Sequence, residues 1–107
     1  MDSIKTLYDV VKQRKDSKQE GSYTCYLFEQ GLDKILKKCG EECSEMIIAA
    51  KNNDNNELSN EMCDLIYHMM VLMIEQGVTL EQIDQILTER GQKIGNLKKF
   101  HKVDRLS

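Results

Sequence analysis

Two pairs of acids carry the spacing that chemistry needs in this chain of 107 residues. Glu42 and Glu45 are three apart, and so are Glu61 and Asp64. On a helix that spacing brings both side chains to one face, a turn apart. Four carboxylates converging from two neighbouring helices would repel one another when empty and would accept a hard divalent cation. All-oxygen ligation favours Mg²⁺, with Mn²⁺ as a substitute, over zinc. A cation held there orients a polyphosphate, neutralises its charge and lowers the pKa of a water that attacks phosphorus. One of the carboxylates could take that water's proton. Lys34, Lys37 and Lys38 stand one to two turns before Glu42, where a polyphosphate would need cations. His68, one turn after Asp64, could steady a ligand through a hydrogen bond or touch substrate.

The spacing by itself leaves a plainer reading open. Glu42 and Glu45 could be a solvated helix edge, Glu61 and Asp64 could pair with Lys34, Lys37 or Lys38, and His68 could be a satisfied interior histidine. What weighs against this is the helix that carries Glu61. Between 56 and 76, the residues Glu57, Glu61, Asp64, His68 and Glu75 fall in one narrow stripe, and apolar side chains cover the rest of the circumference. A helix apolar nearly all round is normally buried, and buried carboxylates are neutralised, paired or bound to metal.

The elements that must position these residues are all helical. There is no proline, and Val, Ile and Thr never alternate with polar residues as a strand requires, whereas helical spacing recurs throughout. A first helix is expected over 3–16, then a polar loop over 17–22. Thr24 is expected to cap a short helix over 25–30, which Gly31 ends. Leu32, Ile35, Leu36, Cys39, Cys43, Met46, Ile47 and Ala50 form the apolar stripe of a helix over 32–52. The run Asn52-Asn53-Asp54-Asn55-Asn56 breaks it, with Asp54 or Asn55 capping the helix that follows. A turn this short implies that the two helices pack antiparallel. Gly77 stops the 56–76 helix, and Thr79 caps a last one through Arg90, expected to be buried by Leu80, Ile83, Ile86 and Leu87.

Composition fits one small domain, 40% hydrophobic and 31% charged, for which association with a second copy would help complete the core. No apolar run approaches a membrane span of roughly 20 residues, and the N-terminus has no apolar signal core, so the expected location is the cytoplasm. Residues 1–90 carry 10 Lys/Arg against 17 Asp/Glu, while 91–107 carry five against one. An acidic body with a short basic tail excludes a nucleic-acid binder, whose positive charge should cover a face of the fold. The helical domain is expected over 1–92 and a frayed basic tail over 93–107. The four cysteines form no Cys-x-x-Cys pair and are expected to be small reduced core residues.

Glu41-Glu42-x-x-Glu45 followed by Glu61-x-x-Asp64 resembles the signature of the all-α nucleotide pyrophosphohydrolases that include the MazG proteins and dimeric dUTPases. Further segments narrow the resemblance to the phosphoribosyl-ATP pyrophosphatase family: Leu7-Tyr8, Glu20-Gly21-Ser22-Tyr23-Thr24, Leu32 to Lys38, Ile48-Ala49-Ala50-Lys51 and Asp64-Leu65-Ile66-Tyr67-His68. The similarity spans about residues 4 to 90. It implies an antiparallel bundle of four to five helices completed by homodimerisation, and Mg²⁺-dependent hydrolysis of phosphoribosyl-ATP to phosphoribosyl-AMP and pyrophosphate in histidine biosynthesis. By matching position it makes Glu42, Glu45, Glu61 and Asp64 the metal ligands, with Glu41 beside them as helper or base. Gly21, Ser22, Tyr23, Thr24, Lys34, Lys37, Lys38 and His68 become candidates for binding substrate. Cys39, Cys43 and Cys63 stand where Val or Ala is expected, and the stretch 91–107 has no counterpart. The length implies a stand-alone enzyme without the cyclohydrolase often fused to this activity. A house-cleaning deoxynucleotide pyrophosphohydrolase of the same fold and a non-enzymatic helical dimerisation module remain as alternatives. A ferritin-like di-iron site fits poorly, since it wants Glu-x-x-His pairs.

Overall fold

A computed structural model describes residues 2–94 and contains five helices: α1 (Asp2–Asp16), α2 (Tyr23–Gln30), α3 (Leu32–Lys51), α4 (Asn55–Gln76) and α5 (Leu80–Ile94). Among the described residues there is no strand, and no helix is long and apolar enough to cross a membrane. The two long helices α3 and α4 form the antiparallel hairpin that dominates the packing, with α1 and α2 laid against it.

The hairpin turn is closed from both sides. The N–H groups of Asn52, Asn53 and Asp54 donate to the carbonyls of Ile48, Ala50 and Ala49 at 3.0, 3.1 and 3.1 Å, which satisfies the last turn of α3. The Asp54 carboxylate then accepts from the Glu57 N–H at 3.0 Å, capping α4 as its position in the Asn-rich run suggests. Ser22, rather than Thr24, caps α2: its Oγ accepts from the Cys25 N–H at 3.2 Å. The helix therefore starts two residues earlier than its sequence suggests, and Thr24, inside the first turn, turns its hydroxyl to Tyr67 of α4. At Gly31 the backbone turns a corner between α2 and α3 at φ 90°, and at Gly77 it takes a left-handed conformation (φ 81°) that closes α4. Both conformations are strained for residues with a Cβ. Thr79 and Gln82 cap α5 reciprocally, each side chain accepting from the other's N–H, at 3.1 and 2.8 Å.

The core is small. Val11 of α1, Leu27 of α2, Ile35 of α3 and Val71 of α4 are fully buried and touch, and Leu7, Phe28, Cys39, Tyr67, Leu72 and Ile74 pack around them. Three polar contacts tie the periphery to it. Tyr8 donates its hydroxyl to the Val78 carbonyl at 3.2 Å, Lys15 pairs with Glu75 at 2.7 Å, and the buried Cys25 thiol donates to the Arg14 carbonyl.

Three expectations about burial are corrected. The apolar stripe of α3 is split: Ile35 turns inward, but Leu36, Ile47 and Ala50 are exposed, and Ala49 is buried in place of Ala50. The α4 helix is covered on one side only, leaving Met62, Ile66 and Met69 exposed. The α5 helix buries none of its residues; Leu80 and Ile83 turn partly toward Ile4 and Lys5 of α1, while Ile86 and Leu87 face solvent. In each case one chain provides too little apolar surface to cover the face its sequence pattern prepares. The cysteines likewise divide, with Cys25 buried, Cys39 and Cys43 half-buried and Cys63 exposed. The α5 helix also runs past Arg90 to Ile94, so Lys93 extends it rather than opening a tail; the remainder of the expected basic tail lies outside the described residues.

Leu27→Ala, which hollows the point where four helices meet, should cost about 3 kcal/mol of unfolding free energy. Asp54→Ala, which removes only the cap of α4, should cost about 1 kcal/mol. Urea unfolding of the three proteins gives that order; equal losses would mean that the core is not centred on Leu27.

Candidate metal centre

The antiparallel hairpin dictates which acids meet. Counted from Asn53 in the turn, Glu45 is eight residues before and Glu61 eight after, while Glu42 is eleven before and Asp64 eleven after. Positions equidistant from a tight turn lie side by side in an antiparallel pair, so Glu45 opposes Glu61, and Glu42 opposes Asp64. The structure brings Glu42, Glu45 and Glu61 together, with one carboxylate oxygen from each lying within 4.8 Å of the others. Asp64 stands outside that set, exposed at its edge, although its charge still acts on Glu42.

The physical state of this cluster is unfavourable when nothing fills it. Glu42 and Glu61 are each only 8% exposed, and one oxygen of each, Oε2, is buried without a hydrogen-bond donor. Among the described residues no lysine or arginine comes within ion-pair distance of Glu42, Glu45, Glu61 or Asp64; the ion pairs present are Lys5–Asp9, Lys15–Glu75, Lys18–Glu29 and Lys38–Glu41. Protonation relieves the strain instead. The Glu61 carboxyl is pushed up to about 8 by its hydrogen bond to Glu45, by burial, and by repulsion from Glu45 and Glu42. Glu42 is also raised, first by burial and then by Glu45 and Asp64. Three carboxylates and two orphaned oxygens, with no lysine or arginine in ion-pair contact among the described residues, are a donor set that fits a hard divalent ion.

Around the cluster, a cavity of about 230 Å³ opens toward the hairpin turn, lined among others by Glu45, Ala49, Asn52, Glu57 and Glu61. Glu57, one turn before Glu61, hydrogen-bonds to it and helps raise its pKa. Glu57 belongs to the acidic stripe of α4, four residues before Glu61, a spacing that sets the two side chains on one helix face. Glu75, the far end of that stripe, is instead spent on Lys15.

The remaining candidates lie along α2 and the earlier turns of α3. Glu41 stands outside the set of three and pairs with Lys38 at 3.4 Å. The Lys38 ammonium is held above its ordinary value: partial desolvation opposes the charge, but Tyr23, Glu41 and Glu42 outweigh it. Lys34 reaches over the Tyr26 ring, 5.9 Å from its centroid, and Lys37 is exposed. Tyr23 stacks on Tyr26 and Tyr67, and its hydroxyl lies 3.2 Å from Nε2 of His68. Thr24 hydrogen-bonds to Tyr67, Ser22 is spent on its cap, and Gly21 is exposed in the preceding turn. Tyr67 and Tyr26 had not been singled out in the sequence. Tyr67 sits in the apolar part of α4, and only the polar end of its ring distinguishes it from its neighbours.

In metal-free protein the Glu61 shift makes stability depend on pH with a definite sign. The folded state holds a proton on Glu61 up to about 8, whereas the unfolded chain releases it near 4.5. Stability is therefore greatest below that lower value and is lost as pH rises toward 8. Melting temperatures of chelator-treated protein should fall across that window, and Glu61→Gln should flatten the curve; an equal fall in the variant would place the cause elsewhere.

The chain was compared with known proteins. Residues 4–91 match the family model described as phosphoribosyl-ATP pyrophosphohydrolase. Three proteins named phosphoribosyl-ATP pyrophosphatase show how closely related sequences align. One from Clostridium botulinum (strain Kyoto / Type A2) is 57% identical over 99 residues, covering 92% of this chain and 90% of its own. One from Clostridium novyi is 54% identical over 98 residues, covering 92% and 89%. One from Lactiplantibacillus plantarum is 51% identical over 98 residues, covering 92% of both. Nearly the whole helical body, hairpin and carboxylates included, lies within these matches, and the chain belongs to the phosphoribosyl-ATP pyrophosphohydrolase family.

Proposed function

We propose that this chain hydrolyses 1-(5-phosphoribosyl)-ATP to 1-(5-phosphoribosyl)-AMP and pyrophosphate, a step of histidine biosynthesis, at a divalent-cation site on the α3–α4 hairpin. The observation that carries this reading is the Glu42–Glu45–Glu61 cluster, with two buried oxygens lacking donors, in a member of this family. Glu42, Glu45 and Glu61 would hold Mg²⁺, or Mn²⁺ in its place, with Asp64 at the open edge. A bound cation supplies charge neutralisation of the triphosphate and a more acidic water. Water attacks the α-phosphorus, the bond to the bridging oxygen of the β-phosphate breaks, and that oxygen leaves with pyrophosphate.

The protein's own groups divide the rest of the work. Glu41 has Oε2 committed to Lys38, which leaves Oε1 to accept a proton from the attacking water. Lys38, kept charged between Tyr23, Glu41 and Glu42, faces the phosphates, and Lys34 and Lys37 stand one turn or less before it on α3. The order of events is electrostatic: the substrate's negative charge is accepted only after the cation has offset the carboxylates.

We also propose that the working form is a homodimer. Leu36 and Ile47 on α3, with the half-buried Cys43 between them, and Met62, Ile66 and Met69 on α4, recur every three, four or seven residues and form largely exposed apolar stripes on the same hairpin. Such stripes suit helix packing against a second copy, and the uncovered face of α5 is consistent with it. The acidic body argues against a nucleic-acid partner.

Pyrophosphate release with Mg²⁺, measured on phosphoribosyl-ATP, ATP, dCTP and dUTP, tests the reaction. Phosphoribosyl-ATP should be strongly preferred, and Glu61→Gln should lower kcat/KM by at least about a hundredfold. Preference for a deoxynucleotide would keep the chemistry and move the substrate. Mg²⁺ should also remove the pH-dependent fall in melting temperature, since the cation replaces the proton at Glu61. For the dimer, Ile47→Glu should shift sedimentation to the monomer; wild-type protein that sediments as a monomer would overturn that proposal.

A further inference from the structure

The segment that leads into α2 brings three hydroxyls to the site, and each is already committed. Ser22 caps the helix, Thr24 and Tyr67 bond to each other, and Tyr23 meets His68. The last of these has one consistent polarity when the His68 ring is neutral. The His68 ring is 5% exposed and stands edge-on to the rings of Tyr23 and Tyr67, with interplanar angles of 79° and 81°. Its Nδ1 lies 2.8 Å from the backbone carbonyl of Asp64. A carbonyl oxygen only accepts, so Nδ1 carries the proton, and in the neutral ring Nε2 is left with a bare lone pair. Nε2 therefore accepts, and the Tyr23 hydroxyl, 3.2 Å away, must donate. With its proton directed into the protein, Tyr23 has only oxygen lone pairs to offer on its outer side.

We infer that His68 is a positioning residue: anchored on the Asp64 carbonyl, its neutral ring holds the Tyr23 proton, so that Tyr23 meets the substrate as a hydrogen-bond acceptor, on a donor group and not on a phosphate oxygen. This deepens the proposed pyrophosphohydrolase reading and rests on it. The alternative, in which Tyr23 donates to a phosphate oxygen, would need the phenol proton free, and a neutral His68 accepting at Nε2 takes that proton. The arrangement also couples α2 to the turn of α4 next to the carboxylates, so a slack His68 would loosen substrate binding before it disturbed the cation site.

A double-mutant cycle on Tyr23 and His68 reads this out. Tyr23→Phe and His68→Leu should each raise KM for phosphoribosyl-ATP about tenfold with kcat little changed, the size of one lost hydrogen bond. The double variant should be no worse than either alone. His68→Gln, whose amide oxygen can still accept from Tyr23, should recover most of the loss, and should have no effect in the Tyr23→Phe background. Losses that multiply in the double variant, or a His68→Gln as damaged as His68→Leu, would overturn the assignment; if His68→Leu fails to fold, the Gln arm alone decides. A second readout is independent of activity: ¹⁵N chemical shifts of the His68 ring in substrate-free protein should show Nδ1 protonated and Nε2 bare. The opposite tautomer, or a ring protonated at both nitrogens, would sink the inference even in a fully active enzyme. An inactive wild type with the expected tautomer would sink the substrate reading alone.

Discussion

Like charges held close in a poorly solvated place are what the rest of this molecule is organised around. Glu42, Glu45 and Glu61 would be driven apart on any loosely built scaffold, because water is too scarce around Glu42 and Glu61 to screen them. The scaffold resists because its two longest helices are clamped at one end by a three-residue turn, Asn52 to Asp54, and supported on one side by the contacts of Val11, Leu27, Ile35 and Val71. The free protein absorbs the residual cost by keeping a proton on Glu61. Stability and binding are thus opposed at this point: the groups that weaken the empty fold are those that would hold a cation most strongly.

The polar groups around the cluster show a consistent segregation. Cations are kept off the carboxylates and gathered on the α2 side of α3, where Lys38 pairs with Glu41 and Lys34 lies over Tyr26. A lysine salt-bridged to Glu45 or Glu61 would neutralise the cluster permanently and leave nothing for a metal to do. The same separation would give a polyphosphate a direction, with one end drawn to the acids through a cation and the other drawn to ammonium groups directly.

Much of this could be read from spacing alone. The five helices, the Asp54 and Thr79 caps and the approach of Glu42, Glu45 and Glu61 all follow from periodicities within a single helix or across one short turn. What could not be read depends on contacts between segments far apart in the chain. Thr24 looks like a cap until Tyr67, 43 residues on, is seen to take its hydroxyl, and then Ser22 takes over as the cap. The polarity of the Tyr23–His68 pair likewise needs the Asp64 carbonyl in place. The apolar stripes of α3, α4 and α5 were legible as apolar but not as uncovered, because the periodicity marks a face to be buried without saying which chain supplies the cover. Asp64 shows a subtler limit. The same three-residue step that keeps both Glu42 and Glu45 in the cluster leaves Asp64, whose side chain is one methylene shorter, outside the set that Glu61 joins.

The turn between α3 and α4 has a consequence for how this chain can change over time. Adding or removing one residue among Asn52, Asn53 and Asp54 would rotate α4 by about 100° and slide it about 1.5 Å relative to α3. Glu61 would then leave Glu45 and meet the apolar side of the core instead. Surface loops usually accept insertions freely, and the stretch from Ser17 to Gly21 has that latitude. The hairpin turn does not: its length is a ruler, and substitutions within it are tolerable where insertions and deletions are not.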